Sequence, residues 1–230
     1  MPRDTLTRDQ IVQTAIELLD AEGLEGLNMR ALGKRLDSAA TAVYWHVKNK
    51  DDLVVLAGDQ VWNEITLPDL DTVGWRAAAA AMAADFHAML GRHPWLVQAL
   101  ATHAFYGPGK ARHDDHSLAV YEAAGFVGAE ADQATATVFM YVLGNAVAAS
   151  ATASLSRRLD RDGGDAEERL GAVMREARDV ARAFPRLRAR LDTTTAAEYG
   201  GAPEATFEYG LQALLNGLEA RLSSDASRTS

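Results

Sequence analysis

The chain has 230 residues, nearly half of them apolar, six histidines, no cysteine and a net charge of −9. That length can build one large domain, or a small and a medium one, around a sizeable core. The missing cysteine excludes disulfides, thiolate chemistry and zinc sites built on Cys, and residues 1–7 lack the basic-then-apolar pattern of a secretory signal, which fits a cytoplasmic protein.

The apolar period is helical throughout, and no run alternates as a strand does, so the fold class is all-α. Thr7 to Gln10 has a capping-box pattern, and Ile11, Ala15, Leu18 and Leu19 then form an apolar face that ends near Gly23. Asn28 can cap a second helix through Leu36, with Met29, Leu32 and Leu36 facing inward. Asp37-Ser38-Ala39 is a tight turn. A third short helix covers about 40–45, where Trp45 reads as a core residue bracing it against the first helix. A fourth opens after Asn49 and runs to about 65, with Asp51 and Asp52 in its first turn, where the helix dipole favours acids.

The clearest break is Leu67-Pro68-Asp69 to Gly74. Beyond it, helices are predicted over 75–91, 94–104, 114–124, 129–157, 165–183 and 203–222. Pro94, Gly107-Pro108-Gly109, Gly125, Gly163-Gly164, Pro185 and Gly200-Gly201 punctuate them. This gives an N-terminal three-helix unit over 1–50, a helical domain over 51–223 entered by a connecting helix (51–66), and a flexible polar tail over 224–230. Residues 134–155 carry no charge and are long enough to cross a membrane. Their many alanines and polar Thr135, Thr137, Asn145 and Ser150 point instead to a helix in a protein interface, with no membrane partner.

Charge is unevenly spread. Residues 26–50 hold five basic side chains (Arg30, Lys34, Arg35, Lys48 and Lys50) against Asp37 alone, whereas 51–230 hold 16 basic and 25 acidic residues. A small basic patch on an acidic body attracts phosphates locally and discourages nonspecific wrapping of nucleic acid. Helix, short turn and short helix within fifty residues make a helix-turn-helix plan, although three-helix bundles also occur as purely structural units.

The strings Leu32-Gly-Lys-Arg-Leu36 and Tyr44-Trp-His-Val-Lys-Asn-Lys50, with Phe207-x-x-Gly210-Leu211 and Leu215-x-Gly217-Leu218-Glu219 near the end, resemble the TetR family, nearest its tetracycline-repressor branch. The resemblance implies a homodimeric transcriptional regulator, most simply a repressor. Its helix-turn-helix would grip double-stranded DNA at a palindromic operator, and its larger helical domain would bind a small-molecule effector and dimerise. It implies a guanine-reading Arg30 at the start of the second helix, a phosphate-holding Lys50, and Tyr44 and His46 touching backbone or bases. Ala40 and Thr41 depart from that branch, where Gln and Pro stand, so the operator differs.

In the second domain Phe86 stands eleven residues after Trp75, a spacing the branch shares for a pocket residue; core packing is the other reading. Met82, Thr66, His103, Phe105 and Tyr141 complete the candidate ligand set. Met82 and Thr66 replace polar residues of the branch, and 134–155 offer no carboxylate to orient metal-bound water. The effector is therefore expected to be largely apolar or aromatic, with no required cofactor. His113-Asp-Asp-His116 could share a helix face, but a solvated helix start explains it more simply than a metal site. For dimerisation, 129–157 offer Gly144 and Ala148 for close backbone approach, and 203–222 offer Phe207, Leu211, Leu214, Leu218 and Leu222 at helical spacing. The competing reading is that these stripes fill the monomer core. No nucleophile elbow, phosphate loop or H-E-x-x-H points to an enzyme.

Overall fold

Thr7 starts the first helix by the predicted capping box. Its Oγ1 accepts the Gln10 N–H at 3.2 Å, and the Gln10 side-chain oxygen accepts the Thr7 N–H at 2.9 Å. The computed structural model describes residues 6–38, 40–161, 166–191 and 203–228, and among these every regular element is helical. The α-helices are α1 (Arg8–Gly26), α2 (Met29–Arg35), α3 (Ala40–Val43), α4 (Lys50–Val61), α5 (Trp75–Arg92) and α6 (Pro94–Thr102). They continue as α7 (Pro108–Ala124), α8 (Ala129–Arg161), α9 (Ala166–Ala181), α10 (Pro185–Leu191) and α11 (Pro203–Arg228). A 3₁₀ turn, Trp62–Glu64, extends α4. The predicted breaks at Gly163-Gly164 and Gly200-Gly201 lie outside the described residues.

Local chemistry sets most boundaries. Asn28 and Asn49 cap α2 and α4, each accepting an N–H three residues on at 2.8 Å. Gly23 takes φ +72° and kinks α1, which glycine does without Cβ strain. Proline at the first position opens α6 and α7. Several boundaries differ from expectation, α1 running on to Gly26 and α8 to Arg161 among them. α3 stops at Val43; α7 starts at Pro108 rather than 114; Pro185 opens a short helix where a break was read; and α11 runs on to Arg228, into the stretch read as a tail.

The head, α1 to α3, packs on the body through α1 against α4 and α6. Leu18, Leu19, Leu32, Val43, Val47 and Leu53 fill it, continuous with a body core built on Trp62, Phe86, Met89, Leu90 and Trp95. Each such side chain contributes about 1.5–3 kcal/mol by burial. Helix α8 organises the body, packing on α5, α6, α7 and α11. Its segment Ala129–Leu159 is long and apolar enough to cross a membrane, with a mean hydropathy of 1.5. Here one face (Ala131, Ala134, Val138, Val142, Ala146) is buried in the bundle, and the opposite face, Met140, Gly144, Val147 and Ala148, is exposed.

Candidate nucleic-acid interface and effector cavity

On the head, α2 and α3 meet through buried Leu32, Val43 and Val47, which hold the second short helix across the first. This leaves Arg30, Thr41, Tyr44 and His46 exposed. Tyr44 is 53% exposed. The side chain of Ala40 lies outside the described residues. Guanidinium, hydroxyl and imidazole groups on a short exposed helix and its flanks suit phosphate and base-edge contacts.

Two head residues depart from expectation. Trp45 is 88% exposed rather than core, because α3 ends at Val43 and the following turn swings residue 45 outward while Val47 returns to the core. Lys50 is not a free lysine. Its Nζ donates to the Leu24 carbonyl at 2.6 Å, just past the kink at Gly23, so it ties α4 to the end of α1. Its remaining protons are what a phosphate could use.

In the body a cavity of about 290 Å³ opens among α5, α7 and α8. Met82, Phe86, Val138, Phe139 and Val142 give its apolar wall; Lys110, Asp114, Ser117 and Thr135 bring polar atoms. Trp62 lies behind that wall, with ring centroids 4.9 Å from Phe86, 4.8 Å from His113 and 6.3 Å from Phe139. Lys110 donates to Asp114 at 2.5 Å. Burial works against the ionised form of Asp114, but hydrogen bonds from His113 and Lys110, with the Lys110 charge, outweigh it and hold the carboxyl below its ordinary range. Burial alone pushes the Tyr121 phenol up, so it lines the cavity uncharged. A larger groove of about 1910 Å³ runs between the head and α4, and charged Arg8, Asp9, Asp37 and Asp52 are among the residues that line it.

Two family models cover most of the chain. Residues 11–57 match the bacterial regulatory proteins of the tetR family, and residues 67–222 match the tetracyclin repressor-like C-terminal domain. The chain belongs to the TetR family.

It is therefore a ligand-responsive DNA-binding transcriptional regulator and not an enzyme. It is 32% identical over 220 residues to the HTH-type transcriptional repressor DrrR1 of Streptomyces coeruleorubidus, covering 95% of this chain and 79% of that protein. It is 40% identical over 145 residues to an HTH-type transcriptional regulator of Saccharopolyspora erythraea, covering 63% of this chain and 61% of that relative. Among solved structures it resembles the TetR family protein ActR of Streptomyces coelicolor in complex with actinorhodin. The TM-score is 0.75 at 25% identity, covering 95% of this chain and 97% of ActR.

Within this TetR-family body, Met82 and Phe86 stand on the cavity wall and the other four candidate ligand residues do not. Thr66 is exposed, its N–H bonded to Asp85 at 3.1 Å. His103 turns to Asp51 at 3.5 Å. Phe105 packs on α4, where a Cβ at Gly58 would lie within 2 Å of its ring, at 1.9 Å. Tyr141 faces α11, donating to the Phe207 carbonyl at 2.7 Å. His113 and His116 also part company: His113 is buried against Trp62, and His116 Nε2 is 2.9 Å from the Pro68 carbonyl.

Lys110, His113, Asp114, Ser117, Thr135 and Phe139 line the cavity and were not among the candidate ligand residues. The signal was present in Pro108: read as the first residue of α7, it puts Lys110, His113, Asp114, Ser117 and Tyr121 at three- and four-residue spacing on one face.

The dimer candidates need one correction. Phe207 and Leu211 are buried in their own chain, because with Leu215 they form the stripe that faces the bundle; Phe207 stacks on His87 at 4.1 Å and on Tyr141 at 5.8 Å. Leu214, Leu218 and Leu222 are half-buried at the edges of that stripe. The outward face of α11 carries Tyr209, Ala213, Gly217 and Ala220, all exposed. Gly144 and Ala148 on α8 are exposed too, and a Cβ added at Gly144 or Gly217 would meet nothing within 4 Å.

At the junction of head and body, His93 is buried between two acids. Its Nδ1 lies 2.7 Å from Asp20 of α1 and its Nε2 2.9 Å from Glu64, which also pairs with Arg92 at 2.6 Å. Trp95 Nε1 donates to the same Asp20 oxygen at 2.7 Å. Both ring nitrogens donate only when the ring is an imidazolium. Burial opposes that charge, but the hydrogen bonds to Asp20 and Glu64 outweigh it and raise the pKa.

Proposed function

We propose that the chain acts as a cytoplasmic homodimeric repressor of a roughly palindromic operator, released by a flat, largely apolar aromatic effector in the α5–α7–α8 cavity. The cavity wall carries this reading. Phe86, Phe139, Met82, Val138 and Val142 offer stacking and apolar surface, and the volume is about twice that of an engineered cavity that takes up one benzene. That ActR, similar along most of its length, is complexed with the small molecule actinorhodin supports a small-molecule occupant of this domain.

The exposed small-residue stripes of α8 and α11 support a twofold interface made by this pair of helices. Such helices form a four-helix bundle across a dimer axis and present two heads to successive major-groove segments. Arg30, Ala40, Thr41, Tyr44, His46 and Lys50 are then the DNA-facing set. An effector releases DNA only if it prefers the head spacing that does not fit the operator.

A duplex selected from random DNA with the purified protein supplies the assay. Fluorescence anisotropy is expected to show saturable, salt-sensitive binding of two chains per duplex. Polycyclic aromatics are expected to reverse it. Release by small charged metabolites alone would overturn the effector class. Light scattering of Gly217→Arg is expected to give a monomer that no longer binds the duplex; an intact dimer would move the interface elsewhere.

A further inference from the structure

Lys110 is the one lysine or arginine among the described side chains that line the cavity, where the carboxylates are its partner Asp114 and, at the exposed start of α8, Asp132. Its side chain is 18% exposed and its counter-ion Asp114 47%. The Nζ sits 5.2 Å from the Trp62 ring centroid and 5.4 Å from that of Phe139. The rings stabilise the cation but accept no conventional hydrogen bond. An ammonium has three protons, and among the described residues Asp114 is the acceptor bonded to them. Thr135 Oγ1, on α8 in the same lining, is buried with no partner, and so is Nε1 of the Trp62 ring that lies under the ammonium. Buried polar atoms are rarely left unpaired without a reason such as an absent ligand.

An occupant seated on Phe86 and Phe139 takes water away from Lys110 and Asp114 together. A neutral hydrocarbon leaves that desolvation uncompensated, whereas an anionic oxygen takes up the protons that Asp114 does not. We propose that the effector is an acidic aromatic, a flat ring system bearing an ionised phenolic or carboxylate oxygen, with Lys110 reading that oxygen and Thr135 binding a second polar atom. This rests on the aromatic-effector reading above and adds a specificity-determining residue to it.

The test uses the full chain and 1,2-dihydroxyanthraquinone, whose visible absorption moves to longer wavelength when its phenol ionises. The dye is titrated at a pH where the free form is neutral. Wild type is expected to bind it with the red shift of the phenolate. Lys110→Met is expected to abolish the shift and weaken binding at least about tenfold, the scale of a charge-assisted hydrogen bond. Lys110→Arg should restore the shift, and Asp114→Asn, which frees the ammonium, should keep or deepen it. Phe86→Ala should weaken binding in all backgrounds.

If the dye binds without a shift, or Lys110→Met matches wild type, Lys110 reads no anion and the inference falls while the aromatic cavity stands. If the dye does not bind wild type, or binds equally well to Phe86→Ala, the aromatic-effector reading falls with it. Circular dichroism checks that each variant folds. Should Lys110→Met unfold, Lys110→Gln, which keeps a polar head group and removes the charge, decides instead: a lost shift supports the inference and a retained one overturns it.

Discussion

The carboxylate of Asp59, on α4, accepts the backbone N–H of Lys110 at 2.9 Å, so one residue of α7 faces the cavity with its side chain and α4 with its backbone. The N-terminal end of the same α4 carries Lys50, tied to α1 of the DNA-binding head. A displacement of the first turn of α7 therefore loads α4, and in the proposed dimer would shift the head that α4 carries. Asp59→Ala is predicted to leave operator affinity near wild type while raising the effector concentration for half-release about five- to tenfold, within the usual range of a coupling free energy. Anisotropy titrations with and without effector measure both. Unchanged release would show that α4 is driven by another contact.

The same seam is intolerant of side chains. A Cβ at Gly109 would come within 2.2 Å of the Asp59 carbonyl oxygen, which is backbone and cannot rotate away. Gly109→Ala is predicted to destabilise by about 1–3 kcal/mol, as overpacking does, and to lower Tm by several degrees. Gly74→Ala, with nothing within 4 Å, should stay near wild type in the same thermal melts.

The His93 junction predicts a pH window. The His93 pKa is raised in the folded chain, so its stabilisation is complete below its ordinary value of 6.5 and is lost as pH rises through the raised one. Glu64 is lowered: burial opposes its charge, but hydrogen bonds from Arg92 and His93 outweigh burial. Its contribution is complete above its ordinary value of 4.5 and lost as pH falls through the lowered one. The junction of α1 with α6 is thus tightest between about pH 4.5 and 6.5. Tm is predicted to fall by about 2–4 °C more in wild type than in His93→Gln as pH is raised to 9, the size expected for one buried hydrogen bond. Parallel curves for the two proteins would mean that the imidazolium does not hold the junction.

Arg30 and Lys50 should separate in their effects. Arg30 is exposed, so Arg30→Ala should cost DNA affinity, about tenfold or more, with no change in Tm. Lys50 holds the Leu24 carbonyl, so Lys50→Ala should lower Tm as well as DNA affinity. Melts and anisotropy on both variants check this; a Tm unchanged in Lys50→Ala would make that hydrogen bond dispensable.

Much of the fold was legible because its signals are local. Thr7, Asn28 and Asn49 announce helix starts through bonds made within a few residues, and Ile11, Ala15, Leu18, Leu19 and Leu32 announce the head core by period. The cavity was less legible because its polar wall depends on where α7 begins. Starting that helix at 114 hid Lys110 in a loop, and only the three-dimensional meeting of α4, α5, α7 and α8 puts its ammonium over Trp62 and Phe139. Phe207 and Leu211 illustrate the same limit. An apolar stripe says that a face is covered, not whether its own chain or a second copy covers it.

The turn that puts Trp45 in solvent also gives the molecule a native optical reporter. Of its four tryptophans, Trp62 and Trp95 are fully buried and Trp75 is half-buried, leaving Trp45 as the indole most open to a dissolved quencher. It sits between Tyr44 and His46, within the proposed DNA-facing set. Acrylamide or iodide therefore darkens mainly the head, and any duplex that covers it shields that emission, so occupancy of the head can be followed without attaching a dye to protein or DNA.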